Sequence, residues 1–147
     1  MKNLKVAVNQ DTAKDPSKIK TKPAKNDIRI IDLLRHTAGF TYGYFKLYPG
    51  GGALEQMYID AGMHDQNINN KELVARISQL PLKFEPGTTW YYSNSIEVLG
   101  RLIEVVTSLT LEEFFQKNIL KPLRMTDSSF RISNDKASRF VEPFDED

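Results

Sequence analysis

The sequence predicts a mainly α fold with one or two short strands near its ends, and three observations predict it. Residues 69–80, 95–106 and 111–120 repeat apolar side chains at spacings of three and four, the period of a helix with one buried face. Two of these stretches open on a capping pattern, Asn69 with Glu72 and Thr110 with Glu113. Strand-like sequence is brief, confined to residues 4–8 and about 128–132.

Taken in order, residues 4–8 alternate weakly and carry β-branched Val6 and Val8, which makes a short strand. Residues 9–25 are polar and lysine-rich with Pro16 and Pro23, a long turn or a loose hairpin that returns through residues 19–21. Residues 31–36 form a short helix with Ile31 and Leu34 on its apolar side and Gly39 as its left-handed cap. The least regular stretch is 40–68, where Phe40, Tyr42, Tyr44, Phe45 and Tyr48 precede Pro49-Gly50-Gly51-Gly52 and a brief helix over 54–61. The next helix, 69–80, aligns Leu73, Ile77 and Leu80 on one face. In 95–106 the aligned residues are Ile96, Leu99, Ile103 and Val106, and the helix over 111–120 is stopped by Pro122. From Ser133 the chain turns polar and ends in Asp145-Glu146-Asp147, a tail expected to fray. The expected division is a strand and lysine-rich loop over 1–27, a helical body over 28–132 and the tail over 133–147.

At 147 residues the chain suits one domain that buries about two-thirds of its unfolded surface. With 40% hydrophobic and 27% charged residues it has the composition of an ordinary soluble globular protein. No apolar run approaches the roughly 18 residues that span a bilayer, and the first residues lack the apolar core of a signal peptide. The absence of cysteine excludes disulfides, thiolate metal sites and a cysteine nucleophile. Charge is uneven: residues 1–50 carry ten Lys or Arg against four Asp, net +6, and the remainder carries ten against fifteen acidic residues, net −5. Lys14, Lys18, Lys20, Lys22 and Lys25 have no interleaved aromatics and no helical spacing, so they read as a solvated loop and not as a nucleic-acid surface. His36 and His64 stand apart, with no His-x-x-x-His and no carboxylate cluster, so no metal or other cofactor is expected.

Chemistry concentrates at Tyr92-Ser93-Asn94. A phenol and a carboxamide two residues apart, just ahead of a helix, can reach one cleft, the phenol to exchange a proton and the amide to hold a polar substrate group. The tripeptide alone is common, but its surroundings are specific. They are Ile31-Asp32-Leu33-Leu34-Arg35-His36-Thr37-Ala38-Gly39-Phe40, then Leu80-Pro81-Leu82-Lys83-Phe84-Glu85-Pro86-Gly87, Leu99-Gly100-Arg101-Leu102-Ile103-Glu104 and Pro122-Leu123-Arg124-Met125-Thr126-Asp127. In this order and spacing, residues 4–132 resemble the serine β-lactamase and penicillin-binding-protein-like hydrolases, closest to the class C β-lactamase and esterase branch.

The resemblance implies the helical subdomain of an α/β plus all-α fold, with Tyr92 as the acid/base phenol and Asn94 as the substrate-orienting amide. In that family the nucleophile is the serine of Ser-x-x-Lys on a buried helix, with a Lys-Thr-Gly partner on a strand. A free phenol titrates near pH 10, so Tyr92 needs neighbouring cations to serve as a base at neutral pH. Two Ser-x-x-Lys strings occur, Ser17 to Lys20 and Ser133 to Lys136. Neither fits, because the lysine must be desolvated on an apolar helix. Ser17 follows Asp15-Pro16 in a solvated lysine run, and Ser133 stands in the polar tail after Tyr92, the wrong order. No Lys-Thr-Gly occurs.

The resemblance thus implies the middle segment of a serine hydrolase that forms an acyl-serine on a β-lactam, peptide amide or ester, inactive in isolation. Its partners would be that substrate and the remainder of the same domain, and the parent would belong to a bacterial cell envelope or periplasm. A second reading is a non-catalytic module that holds a peptide or cell-wall fragment through the aromatic loop 40–48. Those aromatics read equally as a binding lip or as core packing of an irregular loop.

Asn94 also has a local reading. With Glu97 it forms Asn-x-x-Glu, the capping box of its own helix. His36 lies in a His-Thr-Ala-Gly turn matching the family's His-Thr-Ser-Gly and is expected to support the site floor, with Ala38 replacing a hydroxyl. Tyr91 is expected to pack, and Trp90 to be buried beside the cleft wall. Without a covering sheet, Trp90 and the 40–48 aromatics would become a partly exposed patch with Tyr92 and Asn94 at its edge. Arg29, Ser108-Leu109 and Arg124 stand where the family commonly has Thr, Gly-Gln and Gly, departures that bear on local stability.

Overall fold

The computed structural model describes residues 3–43, 52–65 and 67–141, so Tyr44, Phe45 and Tyr48 of the aromatic loop lie outside the described residues. The chain divides into two compact units, Met1–Leu102 and Ile103–Asp147, with the boundary inside one helix. Among the described residues no helix is long and apolar enough to cross a membrane.

In the first unit the lysine-rich segment does form a hairpin. Strand β1 (Lys5–Ala7) pairs antiparallel with β2 (Thr21–Pro23), Val6 opposite Lys22. Between them Asp15 caps a single 3₁₀ turn, Pro16–Lys18, by accepting the Ser17 N–H. The other edge of β1 meets Leu82: Ala7 N–H donates to the Leu82 carbonyl and Leu82 N–H to the Lys5 carbonyl, both at 2.8 Å. Val6, Ala7 and Leu82 are buried where these edges meet.

Helices α1 (Ile30–Leu34), α2 (Ala53–Asp60), α3 (Asn70–Ile77) and α4 (Ser95–Thr107) follow. Asn69 caps α3 by accepting the Glu72 N–H at 3.0 Å, as its sequence pattern predicts. Phe40, Leu54, Tyr58, Ile77 and Leu82 are wholly buried, and Leu73, Leu80, Val98 and Leu99 pack against this core. Full burial of one such side chain contributes about 1.5–3 kcal/mol. The polar end of Tyr58 is satisfied by the Pro81 carbonyl at 3.1 Å.

Several expectations are corrected. In α1 the buried residues are Asp32 and Leu33, whereas Ile31 and Leu34 face outward. Five residues hold little more than one turn, and the hydrogen bonds of Asp32 decide which side is inside. The left-handed residue that ends α1 is His36, with φ 54°, not Gly39. Gly39 also has positive φ, but it is required for close approach, because a Cβ there would lie 2.3 Å from the Phe84 carbonyl oxygen. The expected apolar face of α4 is split, Leu99 packing on the core while Ile96 and Val106 are exposed.

The second unit begins within α4 and continues through α5 (Leu111–Phe115), whose Thr110–Glu113 capping box forms as the sequence predicts. The expected helix over 111–120 persists only in part, since Gln116–Leu120 widens into a π turn before Pro122. No strand forms over residues 128–132: Phe130 packs edge-on against Phe115 at 5.5 Å, and the Ser129 hydroxyl donates to the Arg131 carbonyl. Beyond them the polar tail forms a 3₁₀ turn, Ala137–Arg139, and Arg139 and Lys136 pair with Asp127 at 2.7 and 3.2 Å.

Candidate active site

The site is built outward from Asp32. Its carboxylate accepts the Arg29 backbone N–H and Nε at 3.0 Å, Arg29 Nη2 at 2.9 Å and the Thr37 hydroxyl at 3.1 Å. These donors, the Arg29 guanidinium foremost, outweigh burial and hold the carboxyl down at about 2. The turn after α1 is thereby fixed, and a strap of chain, residues 82–91, is laced to it. The Gly39 carbonyl accepts the Lys83 N–H at 2.7 Å, the Thr37 carbonyl the Gly87 N–H at 2.8 Å, and the His36 carbonyl the Tyr91 N–H at 2.9 Å.

Along the strap, Lys83 forms a largely buried ion pair with Glu55 of α2, and its Nζ lies 4.5 Å over the Tyr91 ring. Burial alone would lower the Lys83 ammonium, but the hydrogen bond and charge of Glu55 prevail and the net shift is upward. Tyr91 also meets Phe84 edge-on at 5.8 Å, the packing role expected of it. Trp90, expected to be buried beside the cleft wall but partly exposed without a covering sheet, is 66% exposed, because residues 87–90 form the outer bend of the strap.

Tyr92 follows, half exposed, between two rings: His36 at 4.7 Å and Tyr42 at 5.3 Å, centroid to centroid. His36 Nδ1 accepts the Ser93 N–H at 3.3 Å, which ties the imidazole to the backbone of the motif. Ser93 and Ser95 are fully buried with their hydroxyls 2.9 Å apart. Asn94 is buried rather than at an exposed edge, and its Nδ2 donates to the Thr41 carbonyl at 2.9 Å. The capping-box reading gives way at Glu97, whose Oε1 accepts the Tyr42 hydroxyl at 2.9 Å while its buried Oε2 has no hydrogen-bond partner among the described residues. Of the loop aromatics, Phe40 belongs to the core and Tyr42 to this site.

Thus the fold brings Tyr92, His36, Tyr42 and Asn94 to one place. Both serines of the Ser-x-x-Lys strings are exposed, and the Ser17 hydroxyl is bonded to Asp15 at 2.7 Å. Sequence reasoning missed the Tyr42–Glu97 bond, which spans 55 positions, and the buried carboxylate of Asp32. For Asp32 a local signal existed, an acidic residue three positions after Arg29, the N-cap of α1.

A sequence model of the family described as Beta-lactamase matches residues 11–144. Acyltransferase mokF of Monascus pilosus is 33% identical over 129 residues, covering 88% of this chain and 29% of that protein. Esterase EstB of Burkholderia gladioli is 31% identical over 117 residues, 80% of this chain and 29% of that protein. Among solved structures, a mutant simvastatin synthase from Aspergillus terreus superposes with a TM-score of 0.62 at 29% identity, over 92% of this chain and 30% of its own. The chain spans about 30% of the length of these relatives.

Proposed function

Because the chain belongs to the beta-lactamase family, we propose that it supplies the phenol-bearing part of a serine acyl-transfer site that hydrolyses or transfers the acyl group of an ester. The observation that carries this reading is the placement of Tyr92, half exposed yet flanked by His36 and Tyr42 and held by a strap bonded to the His36 turn. A phenol so held can move a proton to or from a reacting oxygen. The relatives named as an esterase and an acyltransferase support an ester over an amide or lactam. Asn94 commits one of its two amide N–H groups to Thr41, and we assign what remains of its carboxamide, the carbonyl oxygen foremost, to a polar group of the substrate.

The reacting serine and its lysine are assigned to sequence outside these 147 residues, since Ser17 and Ser133 lack a desolvated lysine. In the same reading, the remainder of that polypeptide covers the outward apolar residues Ile30, Leu34, Trp90 and Ile96. The test is hydrolysis of a short-chain nitrophenyl ester. The 147-residue chain is expected to give background rates. In the longer polypeptide Tyr92→Phe is expected to lower kcat about a hundredfold or more at little cost in stability. Undiminished turnover would make Tyr92 a packing residue, and activity of the short chain abolished by Ser17→Ala would place the nucleophile here.

A further inference from the structure

Glu55 and Lys83 are charged groups buried on the inner side of the strap, and the acyl-transfer reading gives them no part. Glu55, in the first turn of α2, is 5% exposed and is paired with Lys83. The Lys83 ammonium donates to the Tyr91 hydroxyl at 3.4 Å and lies 4.5 Å from the centre of its ring. Phe84 meets the same ring edge-on at 5.8 Å. Thus Tyr91 is held at its oxygen, its face and its edge.

The next residue faces the other way. Along the strap Trp90 and Tyr92 are exposed, Tyr91 is half-buried and Ser93 is fully buried, the alternation of an extended chain. The backbone on either side of Tyr92 is tied to His36: the Tyr91 N–H donates to its carbonyl at 2.9 Å and the Ser93 N–H to its Nδ1 at 3.3 Å. With Tyr91 fixed inward, Tyr92 is left to the open side, over the His36 ring.

We propose that Glu55 and Lys83 are positioning residues for Tyr92 and act through Tyr91: the ion pair supplies the donor that lets a phenol lie inward at position 91, and so keeps the Tyr92 phenol outward in the site. This assignment rests on the acid/base role proposed above and deepens it. A hydroxyl placed in a dry interior without a partner is costly. Without Lys83 the Tyr91 hydroxyl would swing to water and rotate the strap, taking Tyr92 off His36. Burial pulls the Lys83 ammonium down, but the hydrogen bond and charge of Glu55 prevail and keep it protonated. Buried ion pairs add little net stability, and their best-attested service is to fix one arrangement among several.

Nuclear magnetic resonance of the 147-residue chain tests the proposal without any need for catalysis. The chain has six tyrosines; ¹³C at Cζ gives each one signal, and Tyr91→Phe and Tyr92→Phe assign the two of interest. In the wild-type chain the Lys83 ε protons are expected to be shifted upfield by the Tyr91 ring, with a nuclear Overhauser contact between the rings of Tyr92 and His36. Replacing both charges, Glu55→Met with Lys83→Met, leaves no unpaired ion, so the fold is expected to survive, as amide spectra would show. In that variant the Tyr92 signal is expected to split or shift and its contact with His36 to weaken. Adding Tyr91→Phe removes the stranded hydroxyl and is expected to restore both. Should the methionine pair not fold, Glu55→Gln with Lys83→Met is read in the same way.

Lys83 ε protons without an upfield shift in the wild-type chain would overturn the proposal whatever the variants do. A Tyr92 signal and His36 contact unchanged in the double variant would also overturn it, leaving the ion pair as an anchor between α2 and the strap. A perturbed Tyr92 that Tyr91→Phe does not restore would do the same, since the loosening would then be general. In the active longer polypeptide the double variant is expected to lower kcat several-fold, and Tyr91→Phe to recover most of the loss. Should Tyr92→Phe leave turnover unchanged while the Tyr92 signal still follows the ion pair, the catalytic reading fails and the positioning stands, so the two are separable.

Discussion

Asn94 is where local pattern and folded surroundings disagree most usefully. Its sequence neighbours pair it with Glu97 in a capping box, and on that reading aspartate would serve as well as asparagine. In the structure Glu97 holds Tyr42, and Asn94 donates through Nδ2 to the Thr41 carbonyl in a buried place. Aspartate has nothing to donate and would set a carboxylate against that carbonyl. Asn94→Asp is therefore expected to destabilise the first unit by about 2–3 kcal/mol, measured as a lower denaturation midpoint. An unchanged midpoint would restore the cap. The motif Tyr92-Ser93-Asn94 was legible because its residues adjoin one another. The bond of Tyr42 to Glu97 was not, since nothing in a window around either residue indicates a partner 55 positions away.

Helix α1 depends on one carboxylate. Asp32 is held at about 2 by Arg29, with Thr37 adding a further donor. A depressed carboxyl stabilises the fold fully above its ordinary value near 3.8, and that contribution is lost as pH falls toward 2. The wild-type chain is thus expected to lose on the order of 2 kcal/mol from this group between pH 5 and pH 2. Asp32→Asn, less stable at neutral pH, is expected to lack that increment when melting is followed across the same range. Equal pH slopes would show that Asp32 carries no such linkage. Helix ends in the second unit make the opposite kind of prediction. Ser108 and Arg124 hold φ of 57° and 54°, a left-handed conformation that strains a side chain, and both are exposed. Ser108→Gly and Arg124→Gly are each expected to stabilise by about 1 kcal/mol, seen as a higher melting temperature. A fall would mean that these side chains make stabilising contacts.

Across the molecule, burial is concentrated in the first unit, around Phe40, Leu54, Tyr58, Ile77 and Leu82. Amide hydrogen exchange is expected to be slowest at Ile77, Leu82, Lys83 and Leu99 and fastest in residues 9–20, whose side chains are mostly exposed. Uniformly rapid exchange through α3 and α4 would show that the chain does not hold this fold unaided. The expected apolar faces of α1 and α4 exceed what the described residues cover, and Leu34, Ile96 and Val106 remain at the surface at 55%, 48% and 75% exposure.

Short-range pattern was enough to place the helices, the caps at Asn69 and Thr110, the Tyr92–Asn94 motif and the unsuitability of both Ser-x-x-Lys strings. Each of these depends on side chains within one or two turns of one another, so the physics is already present in the order of residues. Long-range packing settled the rest: the inward turn of Asp32, the need for glycine at 39, the exposure of Trp90, the packing of Tyr92 between His36 and Tyr42 and the bond of Tyr42 to Glu97. Periodicity shows that a helix has an apolar face but not what covers it. The neighbours of Tyr92 meet because hydrogen bonds from the N–H groups of residues 91, 87 and 83 to the carbonyls of residues 36, 37 and 39 draw distant segments together.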